Sequence, residues 1–126
     1  MGEVDLKDNI RNAAEKVADT LSIGLSKETY TNAFIHEINK RGLKHRFTHK
    51  VSVYYDDVRV GEEEIQLVIE ESIGVEVKNV QTSSSFKNAF ERLKYLAKLA
   101  GCDGCVAINF VPVTENGGAT VQVKMN

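Results

Sequence analysis

Apolar residues recur at helical spacing at Ile10, Ala14, Val17 and Leu21, and the run stops at Gly24. Ser26 then stands where an N-cap oxygen is wanted. The second helix it predicts carries Tyr30, Ala33, Phe34 and Ile38 on one face, and Gly42 suits the left-handed residue beyond its end. From there the period changes to two. Val51, Val53 and Tyr55 point one way, Asp56 and Asp57 predict a hairpin turn, and Val58 and Val60 begin the return. Ile65, Leu67 and Ile69 alternate with Glu64, Gln66 and Val68, and Ile73, Val75 and Val77 alternate with Gly74, Glu76 and Lys78. Two neighbouring strands are predicted, each with an apolar row on one face and polar groups on the other. Thr82 to Ser85 offer caps for a third helix with Phe86, Phe90, Leu93, Ala97 and Ala100 along one side, ended by Gly101. Val106 to Val113 reads as a buried strand, Glu115 to Gly118 as a turn, and Thr120 to Val123 as a last strand. The order α-α-β-β-β-α-β-β predicts an α/β or α+β sheet with helices packed on it.

At 126 residues the chain has the length of one domain, taken as 1–126, and 42% hydrophobic with 27% charged residues is the balance of a globular protein. Lys and Arg number 16 against 18 Asp and Glu, a net charge of −2, which excludes a strongly basic nucleic-acid coat but not a local basic face. No apolar run approaches the roughly 18 residues of a membrane span. The opening MGEVDLKDNI lacks a signal-peptide core, and Leu6 stands where myristoylation wants Ser or Thr. An intracellular, non-secreted chain is expected. Cys102 and Cys105 form a C-x-x-C, but zinc would need two further ligands and a redox pair favours a helix N-terminus, whereas this pair follows a helix end. No zinc is expected. Nor is there a phosphate-binding glycine loop, and Ser83, Ser84 and Ser85 have no base at motif spacing.

The text of four stretches carries a more specific signal: GLSKETYTNAFIHEINKRGL (24–43), VSVYYDDVRVGEE (51–63), EIQLVIEESIGVEVKNV (64–80) and LAGCDGCVAINF (99–110). Together with the element order they resemble the small GxxExxxR proteins of the PD-(D/E)XK nuclease superfamily over nearly the whole chain. VEVK corresponds to the E-x-K signature, and INF to the strand after the third helix. The resemblance implies a restriction-endonuclease-like core, a mixed sheet with the first two helices on one side and the third on the other. It also implies a divalent metal, Mg²⁺ or Mn²⁺, held by a middle-strand acid and the Glu of E-x-K, with the Lys acting on a water. Here the middle-strand acid falls on Gln66, the Glu of the second helix on Lys27, and a Gln of the third helix on Arg92.

Under that resemblance the catalytic candidates are Glu76, Lys78 and Gln66, and the metal candidates are Glu76 and Glu64. Glu76 and Lys78, two apart on a strand, share a face. By the same alternation Glu64 shares a face with Gln66, where it could supply the carboxylate that Gln66 lacks; Glu62, Glu63 and Glu64 could equally be solvated strand acids. Lys27 could stand as a fixed ammonium among Glu76 and Glu64, the mark of a retired site. Lys40, Arg41, Lys44, Arg46 and Lys50 bring five positive charges around Phe47 with no acid between them. They could track a phosphate backbone, with Arg92 on the third helix adding to them, or could be a helix end followed by a polar edge strand. Two functions follow. One is metal-dependent hydrolysis of DNA phosphodiesters, with DNA expected over RNA. The other is a catalytically inactive pseudo-nuclease that binds nucleic acid or serves as a scaffold or assembly module, including a viral or mobile-element component. A homodimer would double the basic rim.

Overall fold

The computed structural model describes residues 3–22, 24–111 and 120–126. The elements run α1 (Glu3–Thr20), α2 (Lys27–Lys40), β1 (His45–Tyr55), β2 (Val58–Ile69), β3 (Ile73–Lys78), α3 (Ser83–Leu99), β4 (Gly104–Val111) and β5 (Thr120–Met125). This is the α/β order expected. The turn placed at Glu115 to Gly118 lies outside the described residues, as do the last two residues of the strand expected at Val106 to Val113.

Local chemistry explains the helix ends. Ser26 Oγ accepts a hydrogen bond from the Thr29 amide at 3.1 Å, and Thr82 Oγ1 accepts one from the Ser85 amide at 3.1 Å, each satisfying a donor that the helix cannot pair itself. Gly42 takes φ +72°, a region where a Cβ is costly, and its amide closes the end of α2 on the Asn39 carbonyl at 3.0 Å. Asp56 and Asp57 both have positive φ, the geometry that twists a two-residue hairpin correctly, so the turn between β1 and β2 forms where the sequence puts it.

The sheet order is β1-β2-β3-β4-β5, antiparallel throughout except for the parallel pair β3 and β4. A parallel pair needs a crossover, and α3 supplies it. The core has two layers. On one face α1 and α2 bury Ile10, Val17, Phe34 and Ile38 against Leu67, Ile69, Val75 and Ile108, and Tyr30 stacks on Phe110 with ring centroids 4.7 Å apart. On the other face Phe86, Leu93, Leu96 and Ala97 of α3 pack on Ile65, Val68 and Ala107. The expected division, two helices on one side and one on the other, is the one observed.

One expectation is corrected. Ile65, Leu67 and Ile69 do not form a single apolar row. Leu67 and Ile69 pack under α1 and α2, whereas Ile65 packs under α3. The alternation slips at Gln66. Opposite it in β1 stands Thr48 with φ +55°, flanked by the pairs Phe47–Leu67 and His49–Ile65. The pairing of β2 with β3 also stops at Leu67–Val75. The Gln66 side chain bridges the gap: its Oε1 accepts the Val77 amide at 2.7 Å in place of a main-chain carbonyl.

Candidate active site

Along β3, Val75 and Val77 face α1 and α2, so Glu76 and Lys78 face α3 by alternation. Asn109, buried on β4, fixes the exit of this strand. Its Oδ1 accepts the Val80 amide at 2.9 Å and its Nδ2 donates to the Val80 carbonyl at 3.1 Å, which sets where α3 begins. Arg92 precedes the buried Leu93 by one position, so its long side chain leaves the edge of α3 towards the end of the sheet.

These three side chains meet. Glu76 is 6% exposed, and a carboxylate so buried needs partners. Arg92 Nη1 donates to Glu76 Oε1 at 3.2 Å, and Lys78 Nζ lies 3.3 Å from Glu76 Oε2. Arg92 Nη2 donates in turn to Glu63 Oε1 at 2.8 Å. Both terminal nitrogens of Arg92 also lie 3.5 Å from the main-chain carbonyl of Glu64. Two carboxylates and two cations thus balance each other across β2, β3 and α3.

The sequence candidates divide between this cluster and other places. Glu76, Lys78 and Arg92 come together. Gln66 adjoins them, but its oxygen is engaged with the Val77 amide. Glu64 contributes its carbonyl, while among the described residues its carboxylate makes neither a hydrogen bond nor an ion pair. Glu63, ahead of the slip in β2, shares the α3 face with Ile65 and supplies the acid instead. Only the pairing with β1, where Val51 opposite Glu63 is buried under α3, reveals that parity. Lys27 has no ion pair among the described residues; Arg92 and Lys78, and not Lys27, are the cations at Glu76.

The basic segment is largely neutralised. Lys40 pairs with Glu37 at 3.1 Å, and Arg41 donates to Asn9 Oδ1 at 2.7 Å. Arg46 grips Glu71 through Nε at 3.0 Å and Nη2 at 3.1 Å, which raises the Arg46 pKa and holds the Glu71 carboxyl below its ordinary value. Lys50 lies 3.9 Å from Glu62. The Lys44 ammonium is unpaired among the described residues. Phe47, half exposed with His45 edge-on at 5.4 Å, stands between Lys44 and Lys50 on the outer strand.

As arranged, the donors do not fit a divalent ion. Both Glu76 oxygens face cations and the Gln66 oxygen is taken, and no group of three His, Cys, Asp or Glu among the described residues could hold a metal. Hard cations of this kind need several free anionic oxygens. No described helix is long and apolar enough to cross a membrane.

No curated protein and no solved structure matches the chain. The sequence profile of the PD-(D/E)XK nuclease superfamily matches residues 4–121. Counted from Gly24, the Glu and Arg positions of a GxxExxxR pattern hold Lys27 and Thr31. With the mixed sheet, the α3 crossover and the Glu76–Lys78 pair in place, that match identifies the chain as a member of the PD-(D/E)XK nuclease superfamily.

Proposed function

We propose that this protein is a nucleic-acid-binding member of the superfamily whose hydrolytic centre is closed. The observation that carries the reading is the contact of Arg92 and Lys78 with the two oxygens of Glu76. A carboxylate clamped between two cations is a poor ligand and a poor base, because both roles need an available lone pair. Binding is assigned to the outer strand, where Lys44 and Lys50 flank the exposed Phe47. Cations beside an aromatic ring suit a phosphate backbone with an unstacked base, and DNA is the first substrate to try.

A second reading, metal-dependent phosphodiester hydrolysis with Mg²⁺ or Mn²⁺, is favoured by one observation. Glu76 and Lys78 remain side by side at 3.3 Å, and Arg92 is 44% exposed at the rim, able to swing away. The two readings separate in one assay. Plasmid, linear and single-stranded DNA are incubated with Mg²⁺ or Mn²⁺ and either wild-type protein or Glu76→Ala, and binding is followed in parallel by fluorescence anisotropy. The expected outcome is binding weakened by salt and by Phe47→Ala, without cleavage. Cleavage that disappears with EDTA and in Glu76→Ala establishes the nuclease instead.

A further inference from the structure

The apex of the β1–β2 hairpin carries apolar side chains that serve no core of this chain. Val53 still packs against the layer beneath α3. Beyond it Tyr54, Tyr55, Val58 and Val60 are each more than half exposed. Tyr55 and Val58 are cross-strand partners and Val60 lies two residues further on, so these three share one face. Asp56 and Asp57 fix the turn through their positive φ, and neither carboxylate has an ion pair among the described residues. A clustered, exposed apolar face of this kind marks an interaction site.

A surface of matching chemistry lies at the other end of the sheet. There a cavity of about 420 Å³ opens between the end of α3 and the start of β4, walled by Tyr95, Ala97, Cys102 and Cys105. Leu99 adds a second half-exposed apolar side chain one turn along α3 from Tyr95. The rim is basic. Lys94 and Lys98 come from α3, and Lys7 of α1 lies across Gly104, where a Cβ would meet its Cε at 2.6 Å. The two acids of the lining are engaged, Glu91 with Lys94 at 3.4 Å and Asp103 with the Ser72 hydroxyl at 2.8 Å. Lys7 and Lys98 have no ion pair among the described residues.

We infer that this protein forms a reciprocal homodimer in which the hairpin tip of each copy docks on the α3 face of the other, Tyr55 and Val58 against Tyr95, and Asp56 and Asp57 towards Lys98. Pairing of His45 with Ile69, Ile69 with Ile73 and Ile73 with Gly104 marks the cavity end of the sheet. The apex lies at the far end of the 11-residue β1, about 30 Å along the strands, so no chain reaches its own cavity with its own tip. Two copies lying side by side and antiparallel bring both tips to both cavities at once, the closed two-fold arrangement. Tip-to-tip pairing is disfavoured, because it would set the apex carboxylates of two copies against each other. The contact runs through side chains at the apex and needs no strand pairing along β1. It is independent of the closed-centre reading.

The test is sedimentation velocity on the full chain, without nucleic acid, from about 1 μM to about 500 μM. The wild type is expected to pass from monomer to dimer over this range. Tyr55→Ser and Lys98→Glu should each weaken the dimer at least about tenfold. Asp56→Asn/Asp57→Asn, whose new side chains tolerate the left-handed turn, should weaken it and remove most of its sensitivity to salt. All these positions are exposed, and melting temperature checks that each variant is folded. The place of contact is read by carbodiimide cross-linking of a mixture of isotope-labelled and unlabelled chains. An amide between Asp56 or Asp57 of one chain and Lys94 or Lys98 of the other supports the proposal. A monomer throughout the range overturns it, as does a dimer that Tyr55→Ser and Lys98→Glu leave unchanged or that is linked only through other surfaces. Since no nucleic acid is present, a failure here is separate from a failure of DNA binding.

Discussion

Thr48 holds a left-handed backbone, φ +55°, a conformation that costs a residue with a Cβ about 1–2 kcal/mol and that β-branched side chains rarely adopt. Glycine takes it without that cost but brings extra chain entropy of about 0.5–1 kcal/mol. Thr48→Gly should therefore raise stability by up to about 1 kcal/mol, measured as a higher urea midpoint with an unchanged slope. A lower midpoint would show that the Thr48 side chain compensates its own strain. Gln66, opposite it, illustrates what a sequence conceals. Its position in the middle strand was legible by counting back from Glu76. Its use was not, because a side-chain amide that replaces a main-chain acceptor leaves no mark in the polar and apolar pattern. The same is true of Glu63 and Glu64. Strict alternation puts Glu64 on the site, and only the strained residue on the neighbouring strand moves the role by one.

Between elements, the turn from α3 into β4 carries Cys102, and Cys105 is the second residue of β4. Burial raises both thiols above their ordinary pKa, with Asp103 adding to the effect at Cys102. The thiolate is the reacting form, so both cysteines should be alkylated far more slowly in the native protein than in urea at neutral pH, Cys105 the slower because it is 1% exposed. Rapid native labelling of either, followed by mass spectrometry, would contradict the packing of this turn. The elements were well legible because capping and periodicity are local: Ser26, Thr82, Gly42 and the Asp56–Asp57 turn each act within a few residues. The encounter of Arg92 with Glu76 was not, since it depends on how α3 lies across the sheet. The available hint was a cation directly beside the buried stripe of a helix that follows an E-x-K strand.

At the scale of the molecule, ion pairs fasten the ends of elements around the sheet. The Arg46–Glu71 pair links β1 to the turn after β2, and Lys40 beside Glu37 closes α2. The hydrogen bond from Arg46 lowers the Glu71 pKa, and that from Lys40 lowers Glu37. A carboxyl depressed on folding stabilises the native state above its unfolded pKa and loses that contribution as pH falls through the folded value. Melting temperature should thus decline on acidification through and below the ordinary carboxylate range. Glu71→Gln should flatten part of that decline, by a modest amount because the pair is exposed and solvent-screened. A profile identical to the wild type would mean that the pair contributes nothing in solution.

The kink at Thr48 has a consequence for the protein in a crowd. β1 is one of the two edges of the sheet, and a long edge strand is a template on which another chain can add. The hairpin it enters also ends in exposed Tyr54, Tyr55, Val58 and Val60, a composition that favours sticking. A left-handed residue divides that edge into His45–Phe47 and His49–Tyr55, and Arg46 and Lys50 set a charge on either side of the break. A second molecule would meet two shorter segments in place of one continuous eleven-residue edge. The distortion that lets Gln66 hold β3 therefore also interrupts the edge on which a second copy could pair, and a glycine at position 48, which sustains the same kink, would preserve that interruption.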